Sequence, residues 1–332
     1  MNREHPPEEV VEPDLRIVDP HHHLWSYADR GGFQPVYLLD DLRADTGSGH
    51  RIDKTVFVEC SYSYRTAGPA ELVEVGETEF VAGVAGASAA DGGGARIAGI
   101  VAACDLSLGE RLGAVLDAHE AAGRGLFRGI RHRLAHDPTG SARTSRKEPN
   151  EPDLMTTDDF RAGVALLGAR GLTFDAWLYH VQLPQLIAMA AAVPGTTIIL
   201  DHIGAPLAVG AYEAKRAAVH AEWRGHLTEL ATRPNMVVKV GGVGMVPYGS
   251  GWSGRERPAS SDEIVAEWGD ALRFIIDTFG PSRCMFESNF PVDKVSFSYR
   301  TMWNAYKKLT ADLPAPDRAE LFAGTAERVY QV

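Results

Sequence analysis

Eight short apolar runs bounded by turn residues recur along the chain, most of them followed by a stretch in which apolar residues return every three or four positions. The runs are residues 17–24, 54–60, 97–106, 127–133, 172–180, 197–202, 236–241 and 284–290, with cores such as VFV, GIVAA, TIIL and VVKV. Near-continuous apolar character of this kind belongs to strands covered on both faces, as in a parallel sheet flanked by helices. Helical spacing is predicted around 71–81, 108–122, 160–170, 183–192, 212–232, 262–278, 299–309 and 317–330. Eight βα units in series predict one α/β domain, a closed (β/α)8 TIM barrel rather than an open sheet. The strands show no internal duplication.

Two polar connections, 137–158 and 243–261, are too long to be simple links, and both follow strand C-termini, where a barrel builds its active site. The second carries Met245, Tyr248 and Trp252 and is predicted to be a substrate lid; the first reads as a variable insertion. Residues 1–14 are rich in Pro and Glu, lack the regions of a signal peptide, and predict a disordered tail ahead of a barrel spanning 15–332.

The 332 residues, 45% hydrophobic and 23% charged, hold ample material for one core. A formal charge of -11 and a pI near 5.6 argue against nucleic acid or an anionic membrane as partner. No run approaches the roughly 18 apolar residues of a membrane span. Cys60, Cys104 and Cys284 are odd in number and far apart, which disfavours a disulfide framework and a Cys-rich zinc site. A soluble, cytoplasmic protein acting on a small molecule is expected, with a homodimer as a candidate state that the sequence does not decide.

The chemistry concentrates at strand ends. In Val18-Asp19-Pro20-His21-His22-His23-Leu24-Trp25, alternation puts His21 and His23 on one face and His22 on the other. Two imidazoles so placed suit a divalent metal or hydrogen bonds to a carbonyl oxygen. The other runs finish on Glu59, Asp105, Arg131 with His132, Tyr179 with His180, Asp201 with His202, Lys239, and Glu287 with Asn289. In a barrel these ends meet at one rim. Each also has a structural reading, Asp105 as a helix cap or Lys239 as a carboxylate's partner.

Through DPHHHLW, FVEC, FRGIRH, FDAWLYHVQL, LDHIGAP, VVKVGG and FESNFPVDK, residues 17–332 resemble the amidohydrolase superfamily, in its amidohydrolase-2, lactonase-like branch. The resemblance implies a (β/α)8 barrel that hydrolyses a lactone, ester or amide at its C-terminal face. By position, His21 and His23 match the first-strand HxH and His202 the sixth-strand His, while Arg131 and His132 fall in a substrate-binding strand. The branch usually ends its eighth strand on an Asp in a GSDWP-like sequence; here Asn289 stands there, and an amide is neither a base nor an anionic ligand at neutral pH.

The expected metal ligands are therefore His21, His23, His202 and Glu59, holding one Zn²⁺ or another divalent metal, with a metal-free mechanism left open. A two-metal site is not expected, because no Lys ends the fourth strand. Glu59, on the strand face it shares with Phe57, is the expected base, with His202 and Asn289 as the other catalytic positions. Arg131 is expected to bind a substrate carboxylate, with His132, His180, Tyr62 and Trp252 around it. The alternatives are a metal-dependent nonhydrolytic decarboxylase and a barrel that binds a metabolite without turning it over.

Overall fold

The structure, a computed structural model, describes residues 8–27, 34–142 and 151–332. Eight parallel strands hydrogen-bond in sequence order: β1 (Arg16–His22), β2 (Arg51–Val58), β3 (Arg96–Ala102), β4 (Phe127–Arg133), β5 (Thr173–Trp177), β6 (Ile198–Leu200), β7 (Met236–Val240) and β8 (Cys284–Phe286). The ring is closed beyond β8, where His23 N–H donates to Phe290 O at 2.8 Å and Asn289 N–H to His21 O at 2.9 Å. Asp19 fastens the same seam, accepting from Ser288 N–H at 3.0 Å and Tyr299 O–H at 2.9 Å. The architecture is a nearly closed (β/α)8 barrel.

Helices α1 (Leu39–Thr46), α2 (Val75–Asp91), α3 (Leu112–Gly123), α4 (Asp158–Ala169), α5 (Leu183–Ala192), α6 (Arg216–Leu230), α7 (Ser261–Phe279) and α8 (Tyr299–Leu309) surround the strands. A capping box starts α7: Ser260 Oγ accepts from Glu263 N–H and Glu263 accepts from Ser260 N–H. The polar segment LDDLRADT of α1 carries too little apolar periodicity to predict a helix; its first turn is held by Asp41, which accepts from Leu38 N–H at 2.9 Å.

Strand alternation divides the apolar residues into two clusters. Val18, Val56, Val58, Val101, Ile199, Val237 and Met285 fill the barrel, and Ala323, Ala326 and Tyr330 pack against them from below. Phe57, Ile100, Ile130, Phe174, Leu200, Val238 and Phe286 face the helices. The C-terminal stretch, α9 (Ala315–Ala319), a π-turn (Glu320–Gly324) and α10 (Thr325–Tyr330), is thus the floor of the barrel. The face of β2 that carries Phe57 is the outer one, so the expected inward direction of Glu59 along that face is corrected: Val56 and Val58 point inward.

The expected disordered tail also needs correction where it is described. Residues 8–14 pack on the shell: Val11 N–H donates to Asn304 Oδ1 at 2.8 Å, Lys307 Nζ to Glu12 O at 2.7 Å, and Arg318 makes a two-point ion pair with Glu12. The Glu residues that suggested a mobile segment are the anchors, since charged side chains meet partners on α8 and α9. Residues 1–7 lie outside the described residues. No helix among those described is long and apolar enough to cross a membrane.

Candidate active site

Three buried side chains converge at the centre of the C-terminal rim. His21 Nδ1 lies 2.9 Å from Glu287 Oε2, and His202 Nδ1 lies 2.7 Å from Glu287 Oε1. The two imidazole rings are 4.5 Å apart. Glu287 gets there by alternation, following Met285, which faces the barrel interior. His23 stands beside this group, its ring 4.9 Å from that of His21; its Nδ1 meets Val58 O at 2.8 Å, which leaves Nε2 as the lone-pair nitrogen. His22 points to the outer face, with Nε2 at 3.1 Å from Thr55 Oγ1.

Beneath the imidazoles lies a buried layer of charge. Lys239 Nζ contacts Asp175 Oδ2 at 2.6 Å, Asp201 Oδ1 at 3.2 Å and His21 Nδ1 at 3.1 Å. Arg131 Nη1 reaches His21 Nε2 at 3.3 Å and Asp201 Oδ2 at 3.4 Å. Burial, then the positive charge of Lys239, holds the His21 imidazole well below its ordinary pKa, and burial with Arg131 does the same for His23. Asp175 is pushed up to about 6 by burial.

Glu59 does reach the rim, but as the partner of two guanidinium groups. Arg131 Nε donates to Glu59 Oε1 at 2.8 Å, and Arg133 makes two bonds of 2.7 Å to Oε1 and Oε2. Although burial opposes it, Arg133 and Arg131 pull the Glu59 carboxyl down to about 2. A carboxylate so stabilised is a poor proton acceptor, and both its oxygens are engaged, which removes it from the expected roles of base and metal ligand. Arg131 is spent as well, since its hydrogen bonds run to Glu59, His21 and Asp201. Among the described residues that line the cleft, the cation with a donor left for a ligand is Arg133, which uses Nε and Nη2 on Glu59, has no partner at Nη1, and keeps 24% of its side chain exposed. It opens on a cleft of about 440 Å³ walled by Ser61, Tyr64, Asp105, Ser107 and His132 together with Arg131.

Other expected site residues are placed elsewhere. Asn289 donates from Nδ2 to Asp293 Oδ1 at 2.8 Å and sits at φ 53. His180 accepts from Leu207 N–H through Nδ1 at 3.3 Å, with its ring against Tyr212. The Tyr62 ring packs between Tyr27 and Phe80. Trp252 is buried against Phe297 and Tyr248 against Trp268, so the aromatics of 243–261 anchor the loop to the shell rather than lie over the cleft. Of the first long loop, Glu151 and Leu154 line the cleft, and 143–150 lie outside the described residues. His132 lines the cleft, its Nδ1 accepting from Leu106 N–H at 3.3 Å.

Sequence reasoning noted Glu287 at a strand end and gave it no role; it missed Arg133, Asp175 and Trp177, whose ring lies 4.8 Å from that of His202. The available signal was period two: Asp175 lies alone in the apolar strand TFDAW, Arg133 two residues after Arg131, and Glu287 two after Met285.

The donor set fits one divalent cation. One atom each from His21, His202 and Glu287 can be chosen within 4.8 Å of one another, and Glu287 Oε2 and Asp201 Oδ1 are buried with charged neighbours but no aligned hydrogen bond. Two imidazoles and a carboxylate match the protein ligand set of a catalytic metal site. The adjacent Lys239 and Arg131 already balance nearby acids, which disfavours a second ion.

The backbone around His202 is bent to serve this arrangement. His202, Ile203 and Ala205 have φ of 53, 55 and 39, and Tyr248 O–H donates to His202 O. Gly242, at φ +71, lies under the His202 ring, where a Cβ would stand 2.7 Å from Nδ1. Gly242→Ala is therefore expected to cost roughly 1–2 kcal/mol in backbone strain and, by displacing the ring, on the order of 10² in rate. Gly225→Ala, in the open middle of α6, is the control and is expected to raise stability by roughly 0.5–1 kcal/mol with activity kept. Thermal melts and kcat/KM of the two variants check this.

The amidohydrolase family model matches residues 18–332. The uncharacterised protein y4mH of Sinorhizobium fredii is 30% identical, across 96% of this chain and 99% of that protein. The L-fucono-1,5-lactonase of Burkholderia ambifaria is 27% identical across 95% of each. Among solved structures, an amidohydrolase from Burkholderia multivorans with bound zinc superposes with a TM-score of 0.71 at 26% identity, covering 95% of this chain and 99% of that one. With its barrel, its rim histidines and a match over nearly its whole length, this chain is an enzyme of the amidohydrolase family.

Proposed function

We propose that this enzyme hydrolyses a small lactone bearing a carboxylate, with Glu287 as the group that moves the proton. The observation that carries this reading is the Glu287 carboxylate held between the His21 and His202 imidazoles at the centre of the rim. A divalent ion bound by His21, His202 and Glu287 would polarise the lactone carbonyl and acidify the attacking water. The chain's own residues do the rest. Glu287 Oε2, which lacks an aligned hydrogen bond, accepts a proton as water adds to the carbonyl carbon. Arg131 and Lys239, both against the His21 ring, supply a fixed positive field for the charge that develops on the carbonyl oxygen. When the ring C–O bond breaks, the leaving alkoxide takes the proton from Glu287, giving a hydroxy acid and regenerating the carboxylate.

The remaining donor of Arg133 suits the substrate carboxylate, replacing Arg131 in that role, and Ser61 and Ser107 offer hydroxyls to the ring substituents. The similarity to an L-fucono-1,5-lactonase across 95% of the chain supports lactone as the bond class. The test is a panel of neutral sugar lactones and carboxylated lactones followed by acid release, with carbon dioxide measured in parallel on aromatic acids. Opening of a carboxylated lactone with kcat/KM above about 10⁴ M⁻¹s⁻¹ is expected. Preference for neutral lactones would overturn the carboxylate, and carbon dioxide release without lactone opening would replace hydrolysis by decarboxylation.

A further inference from the structure

The floor of the barrel reaches the catalytic layer through one side chain. Tyr330, four residues after Ala326 in α10, passes its ring among the interior valines from below, and its hydroxyl donates to Asp175 Oδ2 at 2.6 Å. The same oxygen accepts from Lys239 Nζ at 2.6 Å, and that ammonium lies 3.1 Å from His21 Nδ1 and 3.2 Å from Asp201 Oδ1. The Lys239 ammonium also lies 5.4 Å from the centre of the Tyr330 ring, which thereby meets it on both its face and, through Asp175, its hydroxyl end. Tyr330, Asp175, Lys239, His21 and Asp201 are all fully buried, out of contact with bulk water.

We infer that Tyr330 is a positioning residue for the catalytic site, fixing His21 through Asp175 and Lys239. The steps are physical. Lys239 has several acceptors within reach, Asp175, Asp201 and His21. Which of them it favours decides how far it draws on the His21 ring. The hydroxyl of Tyr330 pins the Asp175 carboxylate in the rotamer that holds Lys239 low in the barrel. Without that bond, Asp175 is freer to turn, and the ammonium shifts its hydrogen bonding towards Asp201 and His21. The imidazole that faces Glu287 is then disturbed from the opposite end of the barrel. Packing alone would give Tyr330 a role in stability only, since a phenyl ring fills the same space.

The inference rests on the lactone-hydrolase reading for its kinetic arm and is independent of it in a second arm. Tyr330→Phe keeps the ring and removes the hydroxyl; Val329→Ala loosens the same floor, where Val329 packs on the interior cluster and carries no polar group to bond Asp175. Loss of a group that orients a catalytic residue typically costs about 10- to 100-fold in activity. Tyr330→Phe is expected to lower kcat on the opened lactone about tenfold with KM within twofold of wild type, while Val329→Ala lowers Tm and leaves kcat unchanged. In the resting enzyme, histidine-ring nitrogen NMR, with His21 assigned by its loss in His21→Asn, is expected to show the His21 signals moved by Tyr330→Phe and not by Val329→Ala. Unmoved His21 signals overturn the inference whether or not the wild type opens a lactone. So does wild-type kcat in Tyr330→Phe, or a fall in kcat that follows Tm equally in both variants. A wild type that opens no lactone ends the functional reading and leaves the NMR arm to decide this one.

Discussion

Glu59→Gln is expected to destabilise the fold by about 3–5 kcal/mol, the cost of removing one partner from a buried ion cluster. Arg131 and Arg133 both point their donors at this carboxylate, whose side chain is 1% exposed. A glutamine oxygen can accept from one of them, but its amide N–H groups face the other, and the second acid paired with Arg131, Asp201, is shared with Lys239. Against a total stability of about 5–15 kcal/mol, such a loss leaves a marginal protein. The pH dependence has a definite sign. The folded pKa of Glu59 is depressed to about 2, so its contribution is present above its unfolded pKa of about 4.3 and is lost as pH falls towards 2. Urea unfolding of wild type and variant at pH 7 and again near pH 3 should show a gap that narrows with acid. Equal unfolding midpoints at pH 7 would show that the cluster is not holding the rim.

The barrel was legible because parallel strands buried on both faces leave apolar runs that stand out against polar connections, and β4 and β7 were found within a residue of their bounds. Rim convergence followed from the fold, since any residue just past a strand end must face the same opening. Direction was harder. Glu59 lies one residue beyond β2 and reaches Arg131 although it shares the parity of outward-facing Phe57, whereas Glu287, one residue beyond β8, keeps the inward parity of Met285; alternation past a strand end holds at one and fails at the other. The position where the family usually carries its acid holds Asn289, so family position alone does not point to Glu287. The carboxylate stands two residues earlier on an arm one methylene longer, and its placement depends on Gly241, where a Cβ would come 2.5 Å from Glu287 Cγ. The aromatics of 243–261 suggest a lid because exposed rings are costly; they avoid that cost by burial, Trp252 against Phe297 and Tyr248 against Trp268 with its hydroxyl on His202 O.

Glu287→Gln is expected to reduce kcat/KM by about 10² to 10⁴, the usual consequence of removing a general base. The amide is nearly isosteric and can still accept from one imidazole, so the barrel should remain folded while the proton acceptor is lost. Asn289→Asp should not restore it. That side chain is directed to Asp293 at 2.8 Å, and Asp293 is itself fixed by Gly244 N–H at 2.9 Å. A carboxyl introduced there would meet another carboxyl and be pushed towards its neutral form. The direct measurement is kcat/KM on the lactone opened by wild type, for Glu287→Gln alone and combined with Asn289→Asp, with circular dichroism to confirm folding. A loss of at least a hundredfold that the second substitution does not repair is the expected result; activity within a few-fold of wild type in Glu287→Gln, or its recovery in the double variant, would contradict the assignment of the working carboxylate to Glu287.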